Sequence, residues 1–374
     1  MGYVLGMPLE GAANEQDYQV RFGKNMSYQV EMRAPVLPAE WALQSGIQLT
    51  WPHEQTDWAY MLDEVEDCFT RIAREVAQRQ QLLIVHPHPE QVKRKLEQAN
   101  VYLNNVSFVA CDTNDTWARD HGAITMLDVN GPSLLDFTFN GWGLKFAADK
   151  DNLITRQLVK ARALNGAYVN RLGFVLEGGS IESDGVGTLL TTSRCLLSPN
   201  RNGQMNRAEI EEYLCSVFHL QRVLWLEHGY LAGDDTDSHI DTLARFCDAD
   251  TLAYVKCYDT EDEHYEELSQ MEAELQSFRN LAGEPYNLLP LPLPDPIVEN
   301  GERLPATYAN FLILNDAVLY PTYAQADKDA EAGKILKEAF PGRDIVGIDC
   351  CPLIRQHGSL HCVTMQYPAG VIKR

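Results

Sequence analysis

Apolar residues recur at three- and four-residue spacing in five separated stretches of the chain, with short β-rich runs around turn residues between them. The first stretch predicts a helix between Asp57 and Gln80, whose buried stripe is Met61, Val65, Cys68, Phe69, Ile72 and Val76. Further helices are predicted near 150–164, 206–219, 261–280 and 326–340. Hairpins are predicted over 122–139 about Asn130-Gly131, 180–192 about Asp184-Gly185, 241–256 about Asp248-Ala249-Asp250 and 307–320 about Asn315-Asp316. Each of the last four helices is followed by a short apolar strand: Gly173–Leu176, Val223–Leu226, Tyr286–Leu289 and Ile345–Ile348.

A strand-strand-helix-strand unit therefore recurs four times, at intervals of about sixty residues. A fifth is assembled by joining the chain ends: a strand around Leu360–Met365, another at Ile47–Trp51, the helix of 57–80 and a strand at Leu82–Val85. The expected fold is thus α/β, closed into a ring as a propeller is, with no open sheet edge. Residues 1–35 fall outside the repeat as an extension, and 88–118 lead into the first unit. The stretch 290–306 holds five prolines and reads as a loop, of the kind that serves as a lid or a substrate wall.

Asp120, Glu177, His239 and Cys362 each fall at or near a strand that opens a unit, so a closed ring brings them toward one axis. Cysteine is a strong nucleophile only as thiolate, and Cys362 needs an acid-base partner. Adjacent His361 is not expected to be that partner, because neighbours on a strand face opposite ways. His239 and Asp241, two apart, share a face of an extended segment. Asp120, beside Trp117, is placed to clamp a cation against an aromatic face. Glu177 precedes Gly178-Gly179, which permit close backbone approach. Each has a plainer reading: a buried apolar thiol, a solvated acidic loop over 234–237, a surface Arg119-Asp120 pair, a turn glutamate.

Composition narrows the partners. The formal net charge of −22, from 53 acidic and 31 basic residues, argues against nucleic acid and anionic membrane and suits a small cationic ligand. Nine cysteines without regular spacing predict no disulfide framework and a reducing, cytoplasmic setting. No export signal and no apolar run of membrane-spanning length is read from the sequence, and nothing in it fixes whether the chain forms a homo-oligomer.

The segments Thr116–Gly122, Glu177–Ser180, Leu196–Asn202, Asp237–Asp241, Tyr308–Phe311 and Gly358–Gln366, with Leu37–Trp41, Trp51–His53 and Phe139–Gly143, resemble in order the bacterial agmatine and peptidyl-arginine deiminase family. The resemblance covers about residues 36 to 368 and implies a five-fold pseudosymmetric β/α-propeller forming a single catalytic domain over 1–374. It implies Cys362 as nucleophile and His239 as general acid and base. Asp120 and Asp241 would grip the guanidinium, and Glu177 would orient His239 and help bind substrate. Asn310, Trp117 and Trp142 would line the pocket. Two places depart from the family pattern, Ser238 where glycine is common and Arg355-Gln356-His357 in place of a glycine-rich approach, and both bear on substrate choice.

The implied reaction is agmatine and water to N-carbamoylputrescine and ammonia through a covalent amidino-thioether. That chemistry needs no metal and no cofactor. Free or peptidyl arginine are the alternative substrates. A metal-dependent hydrolase with His239, Asp241, Asp120 and Glu177 as ligands, and a propeller that only binds partners, are the alternatives of other classes.

Overall fold

The computed structural model describes residues 35–373, so all but the last residue of the expected extension lies outside it. It is a mixed α/β fold in which five sheets repeat one pattern. An antiparallel pair of strands is followed, across a helix, by a strand parallel to the second. Such a parallel return requires a crossover, and the amphipathic helix supplies it.

Both chain ends meet in one sheet, as expected: Thr364–Pro368 pairs antiparallel with Gln44–Thr50, which pairs parallel with Gln81–His86 across the helix Leu62–Ala77. The second sheet joins Ile124–Asp128, Gly131–Thr138 and Ala167–Val175. The third joins Ile181–Ser183, Thr188–Thr192 and Arg222–Leu226. The fourth joins Ala244–Asp248, Thr251–Lys256 and Asn287–Pro292, and the fifth Leu312–Ile313, Ala317–Thr322 and Asp344–Asp349.

The intervening helices are Ile154–Lys160, Arg207–Phe218, Tyr265–Ser277 and Ala326–Ala339, each within the predicted span. The stripe of the first helix is fully buried at Val65, Phe69, Ile72 and Val76. Burial of this kind stabilises by about 1.5–3 kcal/mol per side chain. At the Asp184-Gly185 turn the Asp184 carboxylate accepts the N–H groups of Val186, Gly187 and Thr188, which is why an aspartate stands there.

Three expectations are corrected. The stretch 290–306 is not simply a loop: Pro290 and Pro292 sit in the parallel strand Asn287–Pro292, and Val298–Glu299 pairs with Glu302–Arg303 as a small ribbon. That strand ends its sheet, where a missing N–H costs no ladder bond. The lead-in 88–118 contributes the helix Pro89–Gln98 and a fourth strand, Val106–Ala110, to the first sheet. The closing strand begins at Thr364 and not at Leu360, so Cys362 lies in the turn before it. All nine cysteines are free.

Candidate active site

The predicted residues come together from different sheets. Asp120 lies on the short helix Ala118–His121, which precedes the second sheet. Glu177 precedes the single turn Gly178–Ser180. His239 and Asp241 do not share an extended segment, contrary to the expected alternation: His239 precedes the turn Ile240–Thr242 that contains Asp241. The chain reaches that turn through Asp237 and Ser238, both at φ +65°. Left-handed backbone at two successive non-glycine residues is strained, and surrounding bonds hold it. The Asp234 carboxylate accepts Ser238 N–H at 2.6 Å, and Thr192 donates to the Ser238 carbonyl at 2.7 Å.

Gly179 marks where the groups meet. A methyl group there would lie 2.7 Å from His239 Nδ1, 2.8 Å from Asp120 Oδ1 and 3.1 Å from Asp241 Oδ2. Three polar atoms thus face a single point, and only the absent side chain keeps it open. Asp120 is fixed by Trp142 Nε1–H at 2.9 Å and by Gly179 N–H at 3.0 Å. Cys362 Sγ lies 3.9 Å from Asp241 Oδ2 and 3.4 Å from Asn310 Oδ1. Asn310 Oδ1 also accepts His361 N–H, and its amide donates to the Asp241 carbonyl, so it ties the cysteine turn to the Asp241 turn.

A cavity of about 530 Å³ opens onto Cys362 and Asp120. Trp117 and Trp142 line it, their rings edge to face at 6.2 Å, and Asp57, Asp115, Asp151 and Asp235 are acidic groups along its walls. The Trp117 ring leaves room for no side chain at Gly358, where a methyl group would lie 2.0 Å from it. A smaller cavity of about 70 Å³, lined by Glu40, Arg119 and Glu182, does not reach the cysteine.

Burial, with Asp241 and Asp120 nearby, pushes the Cys362 thiol well above its ordinary pKa, so the empty site holds a thiol. Burial also drives His239 down to about 3. Burial and the neighbouring Asp241 raise Asp120, whereas at Asp241 the effect of burial is outweighed by His361, leaving that carboxylate below its usual range. Among the described residues, His239 Nε2 and Asp241 Oδ1 are buried without a hydrogen-bond partner. An unpartnered donor or acceptor of this kind is costly unless a ligand completes it. Two carboxyl groups, a thiol and a neutral imidazole together suit a planar cation that offers paired N–H donors.

The region 36–368 matches the model of the Porphyromonas-type peptidyl-arginine deiminase family. The chain belongs to this family. A Legionella pneumophila (strain Paris) protein described as a candidate agmatine deiminase is 33% identical over 337 residues, 89% of this chain and 95% of that protein. Among solved structures, a candidate arginine deiminase from Porphyromonas gingivalis is 51% identical with a TM-score of 0.87, covering 91% of this chain and all of the other. A cysteine-to-serine agmatine deiminase from C. jejuni with substrate bound is 39% identical with a TM-score of 0.82, covering 92% and 98%.

Within this deiminase-family chain, Glu177 does not hydrogen-bond His239 as expected. Its two oxygens take Arg201 Nε at 2.9 and 3.0 Å, and Arg201 reaches on to Asp237 and the Thr236 carbonyl. Glu177, Cys195 and His239 bring ligand atoms within 4.8 Å of one another, but a metal cation there would face the Arg201 guanidinium. Nor is His361 turned away, since its Nδ1 lies 2.7 Å from Asp241 Oδ2. Arg119 is no surface partner of Asp120, being buried against Glu40 at 3.0 Å. Arg201, Glu40 and Arg245 escaped notice individually, although Arg201 and Glu40 lie inside segments that carry the family resemblance.

Proposed function

We propose that this protein is a hydrolase that deiminates agmatine to N-carbamoylputrescine and ammonia, with Cys362 as nucleophile. The carrying observation is the convergence of His239 Nδ1, Asp120 Oδ1 and Asp241 Oδ2 beside Gly179, with Cys362 Sγ 3.9 Å from Asp241. A guanidinium held between Asp120 and Asp241 offsets the negative charge that raises the thiol's pKa. The sulfur then bonds to the guanidinium carbon while its proton passes to His239. His239 protonates one nitrogen, whose bond to carbon breaks to release ammonia, leaving an amidino-thioether.

Water next adds to the same carbon as His239 takes its proton. The carbon–sulfur bond breaks, the proton on His239 returns to sulfur, and the hydroxyl proton passes to solvent, giving the neutral ureido product. Glu177 acts through Arg201 and the 236–239 loop. The five sheets, on this reading, surround one axis as a five-fold propeller forming a single catalytic domain.

Agmatine is favoured by the carboxyl oxygens along the cavity wall, which can accept from a substrate whose far end is an amine, and by the descriptions of several relatives. Arginine, free or in a peptide, is the second reading: the 51% identical structure is a candidate arginine deiminase, and Lys145 and Lys150 also line the cavity. Ammonia release from agmatine, arginine and a peptidyl-arginine at equal concentration separates them. Consumption of none would reject deimination, and retained turnover by Cys362→Ala would reject the covalent route.

A further inference from the structure

A chain of buried polar groups runs from Asp241 to the segment before the first strand. His361 Nδ1 lies 2.7 Å from Asp241 Oδ2, and His361 Nε2 lies 2.8 and 3.0 Å from the Glu40 oxygens and 3.0 Å from Arg245 Nη2. Glu40 also receives Arg119 and Arg245, and Arg245 is held in turn by Glu182 and by the carbonyls of Ala309 and Phe311. The Asp241 oxygen that faces His361 is also the one near Cys362, while Oδ1 is buried and unpartnered.

An ionised carboxylate has no proton to give, so the hydrogen in the 2.7 Å contact sits on Nδ1. This holds in either charge state of the ring. The neutral ring accepts from Arg245 at Nε2, and the charged ring donates to Glu40. Burial and the Arg119 and Arg245 guanidiniums pull the imidazole's pKa below its ordinary value, against Glu40 and the Asp241 bond.

We propose that His361 is a positioning residue for deimination: its Nδ1–H holds Asp241 Oδ2, the oxygen that faces Gly179 and Cys362, and so fixes this carboxylate for the substrate guanidinium, with Glu40 and Arg245 fixing the ring. The assignment rests on the deiminase reading above. It separates the two halves of the His361-Cys362 pair into a support and a nucleophile.

The test compares His361→Leu, which removes the donor at similar bulk, with His361→Asn, whose amide nitrogen stands as many bonds from Cα as Nδ1. A lost hydrogen bond to a charged group predicts that His361→Leu raises KM for agmatine by about 10- to 100-fold, and more than it changes kcat. His361→Asn is expected to return KM to within about threefold of wild type. If the leucine variant does not fold, His361→Gln replaces it, since its amide reaches the Nε2 position instead. Protection of Cys362 from iodoacetamide by agmatine, read by mass spectrometry of its peptide, should weaken in step with KM. Equal loss in both variants, or wild-type KM in the leucine variant, overturns the assignment. A wild-type enzyme inactive on every guanidino compound overturns the deiminase reading and this inference with it.

Discussion

Glu177 and Arg201 face each other with no exposed side-chain surface, the guanidinium Nε within 3.0 Å of both carboxylate oxygens. Burying such a pair gains little over an apolar replacement, but removing one partner strands a charge. Arg201→Met is therefore expected to lower unfolding stability by about 3–5 kcal/mol in urea titrations. The double variant Arg201→Met/Glu177→Gln should recover a large part of that loss. A single-variant loss below about 1 kcal/mol would mean that Glu177 is held neutral by other means.

Gly179 tests the assembly of the site without disturbing the backbone. Its φ is not left-handed, so alanine is conformationally tolerated, yet the new methyl group would crowd His239 Nδ1, Asp120 Oδ1 and Asp241 Oδ2. Gly179→Ala is expected to lose about 100-fold or more in kcat/KM, because small misplacements at a reacting centre are costly. Its melting temperature should move by only a few degrees. Near-normal kinetics would show that the guanidine carbon is attacked elsewhere.

Periodicity made the sheets and their helices legible because helix stripes and hairpin turns are local signals. The Met61–Val76 stripe and the Asp184 turn are read correctly for that reason. Even the joining of the chain ends followed from counting units. What failed was local rules applied at the site. His239 and Asp241 were placed by strand alternation, but two left-handed residues and a turn deliver them. His361 was set aside by the same rule, although Cys362 precedes the strand. The Arg201–Glu177 and Glu40–His361 contacts span 24 and 321 residues of sequence, and no short-range pattern encodes them.

The state of the thiol predicts how rate depends on pH. Burial and the two carboxylates raise Cys362 in the empty site, while a guanidinium stays cationic across the accessible range. Alkylation of Cys362 in the free protein should therefore rise with pH into the alkaline region. Because kcat reports the complex and kcat/KM the free enzyme, the rising limb of kcat should lie at lower pH than that of kcat/KM. Asp120→Asn removes one of the charges that raise the thiol and should shift free-protein alkylation toward lower pH. Coincident limbs in the two profiles would argue that the substrate does not lower the thiol's pKa.

Asp115, on the cavity wall, predicts a pH effect on stability. Burial, with Asp151 and Asp57 nearby, pushes its carboxyl up to about 8, although Oδ2 accepts Trp117 Nε1–H at 2.9 Å. In the unfolded chain it titrates near 4, so from about pH 4 to about 8 the folded state holds the extra proton. Its stabilising contribution is complete below the lower value and is lost as pH rises through the upper one. Asp115→Asn does not titrate and keeps an oxygen for Trp117. The melting temperature of the variant minus that of wild type should therefore grow from pH 4 to pH 8 and level off above it. A difference independent of pH across that window would show that Asp115 ionises normally in the folded protein.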